Sequence, residues 1–166
     1  MPNTCTQLYI QMVFAVKFRE NLIPQQHKEE IHKYITGIVQ KKQNKMLAIN
    51  CMPDHIHIFV GLHPAISISE LVKSIKIASG DLIRDKKWVK KKFLWQDGFG
   101  AFSYSHSDID KVIKYILNQE EHHRKKTFKE EYLEFLQQFE VEYDDKYLFE
   151  FYEYPASIRP LCGRNE

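Results

Sequence analysis

Residues 46–62 read MLAINCMPDHIHIFVGL, two short apolar segments separated by a turn-forming tripeptide. Both segments are rich in residues that favour strands, and we predict strands over Met46–Cys51 and His55–Leu62. Proline and aspartate in the link Met52-Pro53-Asp54 favour a turn. The two segments are therefore predicted to form a β-hairpin.

The chain before this hairpin predicts one strand and one helix. Between Gln7 and Lys17 the apolar residues alternate, which is typical of a half-buried strand. After Pro24, apolar residues recur at helical spacing from Ile31 to Val39, and we predict a helix that ends in the polar run Lys41–Lys45.

The chain after the hairpin predicts three helices and one strand. Ser67-Ile68-Ser69-Glu70 has the form of a capping box and begins a helix that extends to about Asp85. A short strand over Phe99–Ser105 follows, and then a third helix capped by Ser107-Asp108. Thr127-Phe128-Lys129-Glu130 has the capping-box form again and begins a fourth helix.

This order of elements predicts an α+β fold of the ferredoxin-like, split βαβ type: an antiparallel sheet with helices on one face, plus C-terminal helices. We expect residues 1–138 to form one domain. Residues 139–166 would be a C-terminal extension that is either part of this domain or a docking arm.

The composition is that of a compact globular chain, with 43% hydrophobic and 28% charged residues among 166. No apolar run is long enough to span a bilayer, and the N-terminus lacks the pattern of a signal peptide, so we expect a cytoplasmic protein without a membrane partner. Cys5, Cys51 and Cys162 are scattered and are predicted to be free thiols.

The charge distribution suggests a polyanion site, although the net charge is only +2. Basic residues are concentrated between Lys73 and Lys92, and three of them lie between Trp88 and Trp95. Lysines hold phosphates and aromatic rings stack on unpaired bases. The alternative is a solvated lysine run with both tryptophans in the core. The residues predicted to bind DNA are Lys73, Lys76, Lys90, Lys91, Lys92 and Trp95.

Two histidines on the second hairpin strand suggest a metal site. Side chains alternate along a strand, so His55 and His57 lie on one face and can reach one ion. Buried imidazoles without partners are unfavourable, which makes such a pair unusual on a core strand. The alternative is a pair of hydrogen-bonded surface histidines.

The third helix carries a second group of polar residues. If the helix is continuous, Tyr115, Gln119 and His122 cluster beside the apolar stripe that contains Ile116. The alternative is that Tyr115 only flanks the core, with its hydroxyl in water.

Three segments together resemble the single-tyrosine HUH transposases of small bacterial insertion sequences and their REP-associated relatives. They are the strand Met52–His57, the segment Leu94–Gly98 and the helix segment Tyr115–Gln119. The resemblance runs from the first strand to about His123. It implies a metal-dependent single-stranded DNA transposase that cuts and rejoins DNA through a 5′-phosphotyrosine intermediate.

The resemblance also implies a role for each matching residue. His55 and His57 would be metal ligands, Tyr115 the nucleophile and Gln119 the third ligand, with His122 or His123 as its possible replacement. The expected cofactor is a divalent metal, Mg²⁺ or Mn²⁺, and the expected partners are hairpin ends of single-stranded DNA and a second copy of the chain. Two other functions stay open: a ferredoxin-like module that binds hairpins without cleavage, and a metal-dependent hydrolase of small phosphoesters.

Overall fold

The computed structural model describes residues 3–145 and residue 148. Within these residues the chain forms four strands and five α-helices. In chain order they are β1 (Tyr9–Ala15), α1 (Lys28–Lys41), β2 (Lys45–Cys51), β3 (His55–Gly61), α2 (Ile68–Asp85), β4 (Gly100–Tyr104), α3 (Ile109–Leu117), α4 (Gln119–Lys125) and α5 (Phe128–Gln138).

The four strands form one antiparallel sheet in the order β2-β3-β1-β4. β2 and β3 are joined by the predicted turn, and β1 lies between β3 and β4. The ferredoxin-like prediction is confirmed. In the β1–β3 register His55 faces Ala15 and His57 faces Val13, so both histidines are carried by an interior strand.

Helices α1 and α2 cover one face of this sheet. Their apolar stripes pack on alternate residues of β1 and β3, as the strand alternation predicts. The buried residues of this core on the two helices are Ile31, Ile35, Val39, Leu71, Val72, Ile75 and Ile83.

Helices α3 and α5 cover the opposite face. α3 packs on Phe59 through Val112 and Ile116, and α5 packs on Val13 and Ala15. His55 and His57 point to this same face, because they alternate with Ile56 and Ile58 on the other side of β3. The C-terminal helices therefore bury the histidine pair.

The predicted helix caps are formed to different degrees. Thr127 and Glu130 form a complete capping box at the start of α5. The Ser67 hydroxyl accepts a hydrogen bond from the Glu70 backbone N–H at the start of α2. Asp108 occupies the N-cap position of α3, but its carboxylate makes no cap bond and instead accepts a hydrogen bond from Ser105. The prediction that Ser107-Asp108 caps this helix is wrong in that respect.

The third predicted helix is not continuous, and this corrects the sequence prediction. α3 ends at Leu117 and α4 begins at Gln119, with Asn118 between them at φ −99° and ψ 22°. Because Asn118 leaves helical geometry, residues after it do not continue the helical positions extrapolated from Tyr115. The break changes which side chains of α4 can reach the histidine pair.

Within residues 3–145, no helix is both long and apolar enough to cross a membrane.

Cys5 is exposed, Cys51 is buried and both are free thiols, whereas Cys162 lies outside the described residues. Most of the predicted extension 139–166 also lies outside them, so its role stays a prediction.

Candidate active site

The two histidines of β3 form the base of the site. His55 is 1% exposed and His57 is not exposed, and their ring centroids are 5.2 Å apart. The Nε2 atom of each ring is buried without a hydrogen-bond partner. Unpaired polar atoms are rare in protein interiors, and two of them facing one cluster suggest that a ligand belongs there. The alternative interpretation required a pair of surface histidines, whereas both rings are buried.

Asp54 and Arg19 orient His55 from behind. The Nδ1 atom of His55 lies 2.6 Å from Asp54 Oδ1, and Arg19 Nη2 donates to Asp54 Oδ2 at 3.0 Å. Burial acts to raise the pKa of Asp54, but the hydrogen bond and charge of His55 and the charge of Arg19 outweigh it and lower this pKa to about 2. A carboxylate bonded to Nδ1 directs the Nε2 lone pair of His55 toward the cluster.

Gln11 and Tyr104 support His57 in the same way. The side-chain amide of Gln11 lies 3.1 Å from His57 Nδ1, and the Tyr104 hydroxyl donates to Gln11 Oε1 at 2.9 Å. Burial lowers the pKa of His57, partly opposed by the charge of Glu131. A neutral imidazole is the form that binds metals. Ligation through Nε2 needs the proton on Nδ1. Turning the Gln11 amide by 180° would let its oxygen accept that proton and its N–H donate to the Tyr104 oxygen.

Tyr115 reaches this cluster from α3. Its hydroxyl donates a hydrogen bond to Glu131 Oε1, and its ring lies edge-on to His57, with centroids 6.1 Å apart. Glu131 Oε1 is in turn 3.5 Å from His57 Nε2. The phenol and the imidazoles therefore meet around one carboxylate within a single chain.

Gln119 and His123 complete the cluster from α4. Gln119 is buried, and its amide nitrogen donates to Glu131 Oε1 at 3.1 Å. The Gln119 Oε1 atom lies 2.9 Å from His123 Nε2, which is also 3.1 Å from Glu131 Oε2. Burial, followed by the charges of His55 and His57, lowers the pKa of His123 to about 3. His123 lies one turn after Gln119 on α4 and joins the group, whereas His122 contacts the Tyr115 ring.

Glu131 is the residue that the sequence analysis missed. It is 5% exposed and lies on the apolar face of α5 between Phe128 and Phe135. Glu131 follows Phe128 by three residues and precedes Phe135 by four, so the three side chains share one helix face. This lone acidic residue in an apolar stripe was a signal available in the sequence.

The donor atoms lie close enough together for modest side-chain shifts to bring them onto one ion. One nitrogen each from His55, His57 and His123 and one oxygen of Glu131 all lie within 4.8 Å of one another. Two donors that are each about 2.1 Å from an ion and about 90–110° apart are separated by about 3.0–3.4 Å. With two orphaned imidazole nitrogens among them, these residues fit a bound divalent cation.

The family model for IS200-like transposases matches residues 4–119, which include β1, the histidine pair, Tyr115 and Gln119. This chain belongs to the IS200-like transposase family. The predicted resemblance to single-tyrosine HUH transposases is thereby confirmed, and the chain is an enzyme of the transposase class. His123 and Glu131 lie beyond the matched residues.

Individual relatives agree with this assignment. The ISDra2 transposase TnpA of Deinococcus radiodurans is 22% identical over 120 residues, which cover 68% of this chain and 84% of that protein. Two solved structures share the fold. A D. radiodurans R1 protein described as a transposase has a TM-score of 0.56 and 21% identity, and covers 70% of this chain and 94% of its own. A REP-associated tyrosine transposase bound to a REP hairpin has a TM-score of 0.54 and 18% identity. The match covers 70% of this chain and 68% of that chain.

Two residues of this transposase that were predicted to bind DNA are engaged in its fold. Trp95 is half-buried against Phe14, with centroids 4.9 Å apart, and its indole N–H donates to Ser79. The Lys76 ammonium donates to the backbone oxygens of Gln96 and Gly98 at 2.7 and 2.5 Å. Burial lowers the pKa of Lys76 to about 8. For Trp95 this geometry matches the core alternative, and stacking on DNA would require the ring to leave its packing.

The other predicted DNA-binding residues are accessible. Lys73 is exposed on α2, and Lys90, Lys91 and Lys92 are exposed in the connection to β4, where Lys91 lies 3.2 Å from Glu20. α2 packs on the sheet face opposite to the histidine pair. A DNA strand that touched both Lys73 and Tyr115 would therefore have to pass around an edge of the sheet.

A cavity of about 310 Å³ opens beside Tyr115 and Glu131. Aromatic rings from β4 and α5 form much of its wall, and exposed polar residues surround them. Its other lining residues are Ser103, Tyr104, Ser105, Asp108, Lys111, Val112, Glu134, Phe135, Gln138 and Phe139.

Proposed function

We propose that this transposase cuts and rejoins single-stranded DNA with Tyr115 as its nucleophile and a divalent cation held by His55 and His57. The observation that carries the proposal is the shared carboxylate. Glu131 Oε1 accepts the hydrogen bond of the Tyr115 hydroxyl and lies 3.5 Å from His57 Nε2. Nucleophile and ligands thus occupy one site, close enough to act on one phosphate.

In the proposed step, the Tyr115 oxygen attacks the phosphorus of a phosphodiester while the bond from phosphorus to the 3′ oxygen breaks. The phenolic proton passes to the Glu131 carboxylate, which already accepts the hydrogen bond, and the departing 3′ oxygen gains a proton from solvent. The products are a 5′-phosphotyrosine bond and a free 3′-hydroxyl. Because the intermediate keeps a phosphoester, a second DNA end can reverse the step without ATP.

His55 and His57 would hold the cation together with a third donor from α4, for which the sequence predicts Gln119, His122 or His123. When bound, a divalent cation supplies Lewis-acid stabilisation of the charge on the phosphate oxygens. Asp54 and Gln11 orient the two imidazoles, and α5 shields them from bulk water. Mg²⁺ and Mn²⁺ are the cations expected from the family resemblance.

For partners, we propose hairpin ends of single-stranded DNA and a homodimer. The hairpin is supported by the REP-associated relative, which was solved with a REP hairpin. Strands β2 and β4 are the edges of the sheet, where a second copy could continue it. Light scattering on the purified protein tests the dimer. The cytoplasmic location stays a prediction from the sequence.

A covalent DNA adduct tests the main proposal. Wild-type protein incubated with Mn²⁺ and single-stranded oligonucleotides from the genomic flanks of its own gene should give a band that survives denaturation. Tyr115→Phe should abolish the band and retain DNA binding. Tyr34→Phe is the matched control, because Tyr34 is exposed on α1, on the other side of the sheet, and this variant should keep its adduct.

Two results of this assay would contradict the proposal in different ways. An adduct formed by Tyr115→Phe would show that another residue is the nucleophile. Tyr104 would be the first candidate to examine. Hairpin binding by wild type without any adduct, at every metal tested, would favour the binding module without cleavage.

The salt dependence of binding tests the lysine surface. Replacing Lys90, Lys91 and Lys92 with glutamine should lower the slope of log affinity against log salt. The decrease should be about 0.7 for each phosphate of the single strand that a lysine no longer neutralises. A matched triple replacement at the exposed residues Lys41, Lys42 and Lys45 should leave the slope unchanged. Equal slopes for the two triple variants would remove this surface from the DNA path.

A further inference from the structure

Glu131 is a buried carboxylate without a conventional countercharge. It is 5% exposed, and no lysine or arginine among residues 3–145 forms an ion pair with it. Its neighbours are three imidazoles, the Tyr115 hydroxyl and the Gln119 amide. A buried charge is strongly unfavourable unless it is paired or bound to a metal. A cation bound among these groups would supply the countercharge that the described residues do not provide.

The two oxygens of Glu131 face different groups. Oε1 accepts hydrogen bonds from Tyr115 and from Gln119. Oε2 has no hydrogen-bond partner, although His123 Nε2 is 3.1 Å away and His55 Nε2 is 4.0 Å away. The 3.1 Å separation lies in the range expected between two ligands of one ion. His123 Nε2 also lies 2.9 Å from Gln119 Oε1, a contact that a metal bound to this nitrogen would replace.

We propose that Glu131 and His123 are metal ligands of this transposase, and that Glu131 also positions the nucleophile. Its Oε2 atom joins the Nε2 atoms of His55, His57 and His123 around the cation, while its Oε1 atom holds the Tyr115 hydroxyl. One carboxylate thus fixes the distance between cation and nucleophile. The nucleophile part of this inference rests on the proposed role of Tyr115, and the metal part rests on the proposed cation at His55 and His57 but not on DNA cleavage.

This ligand set has a consequence for metal choice. Three imidazole nitrogens and one carboxylate oxygen suit a transition ion, whereas Mg²⁺ prefers oxygen ligands and keeps several waters. The site should therefore bind Mn²⁺ and Co²⁺ more tightly than Mg²⁺. It also follows that α5 and most of α4, which lie beyond the residues matched by the family model, are part of the catalytic unit.

Calorimetric titration of the full chain with Mn²⁺, without DNA, tests the assignment. Glu131→Gln keeps the shape of the side chain and removes its charge, and His123→Asn removes the imidazole. Each should weaken Mn²⁺ binding at least about tenfold, the loss that even an outer partner of a ligand causes. Glu134→Gln, exposed one turn along α5, and His106→Asn, exposed after β4, are the matched controls and should bind like wild type.

The absorption spectrum of the Co²⁺-loaded protein is a second readout. Its visible bands respond to the number and type of ligands, so Glu131→Gln and His123→Asn should each change them while the two controls do not. Circular dichroism checks that every variant is folded, and if Glu131→Gln is not folded, His123→Asn carries the test. Wild-type Mn²⁺ affinity and Co²⁺ bands in the folded Glu131 and His123 variants would overturn the proposal.

The outcome can be separated from that of the proposed function. If wild type forms no DNA adduct but the two variants lose Mn²⁺, the proposed function fails and the metal assignment stands. If wild type forms an adduct and the variants bind Mn²⁺ normally, the proposed function stands and Glu131 and His123 are not ligands.

Discussion

Phe128 lies flat against the imidazole of His55, with ring centroids 4.0 Å apart and ring planes 11° from parallel. Phe128 is 2% exposed at the start of α5, so this contact links the C-terminal helix to the histidine pair. Phe128→Ala should lower the free energy of unfolding by about 3–5 kcal/mol and weaken Mn²⁺ binding, because His55 loses the wall that fixes its plane. Urea denaturation and calorimetry measure the two effects.

A second aromatic residue of the same layer provides the control. Phe139 packs on Phe102 and Tyr104 and contacts neither histidine of β3. Phe139→Ala should destabilise the protein and leave its Mn²⁺ affinity unchanged. Loss of Mn²⁺ affinity in both variants would show that general loosening, and not the contact with His55, controls metal binding.

Asp54→Asn tests whether the hydrogen bond of Asp54 to His55 Nδ1 is needed for metal binding. The Asp54 carboxylate lies 2.6 Å from His55 Nδ1, and it is held by Arg19 on its other oxygen. An amide keeps the shape and loses the charge, so the Mn²⁺ affinity should fall about 10–100-fold, as for other carboxylates behind metal-bound histidines. The exposed Asp110→Asn serves as the reference in the same titration. An undiminished affinity would mean that Asp54 acts only in folding.

Local patterns in the sequence were sufficient to predict the sheet and the direction of the histidines. The alternation of His55, Ile56 and His57 places the imidazoles opposite to the α1–α2 core, as the structure has them. The capping box at Thr127 likewise defined the start of α5. These features depend on neighbours within a few residues.

The features that could not be predicted depend on distant contacts. Asn118 has no proline or glycine beside it to signal a break, and the sequence analysis therefore predicted one continuous helix and left open whether His122 or His123 joins the site. Glu131 meets His55 across 76 positions of the chain, a contact that no local period encodes. The apolar residues Val13, Ala15 and Phe59 on the second sheet face did require a cover, but they do not specify which helix supplies it.

His32 should make stability depend on pH. Its Nε2 atom accepts a hydrogen bond from the Cys51 backbone N–H at 3.0 Å, and burial, followed by the charge of Lys28, lowers the pKa of His32 from 6.5 to about 4. Between these values the unfolded chain binds a proton that the native chain does not, so stability is retained above pH 6.5 and lost as the pH falls toward 4.

The variant His32→Gln isolates this contribution. With EDTA present to exclude metal effects, the free energy of unfolding of wild type should fall more steeply from pH 6.5 to pH 4 than that of His32→Gln. Urea denaturation at several pH values gives both curves. Parallel curves would show that His32 is equally protonated in the folded and unfolded chains over this range.

The placement of Tyr115 beside the histidines of its own chain predicts the result of mixing two inactive variants. Tyr115→Phe retains its histidines, and His55→Ala/His57→Ala retains its tyrosine, so a site shared between two copies would be rebuilt in a mixed dimer. Because Tyr115 and His57 already contact the same carboxylate within one chain, the mixture should form no DNA adduct. Tyr115→Phe mixed with wild type should form adduct in proportion to the wild-type fraction. An adduct recovered on the histidine variant would show that a tyrosine serves the partner's histidines in solution, and α5 would then have to release Tyr115 when the dimer forms.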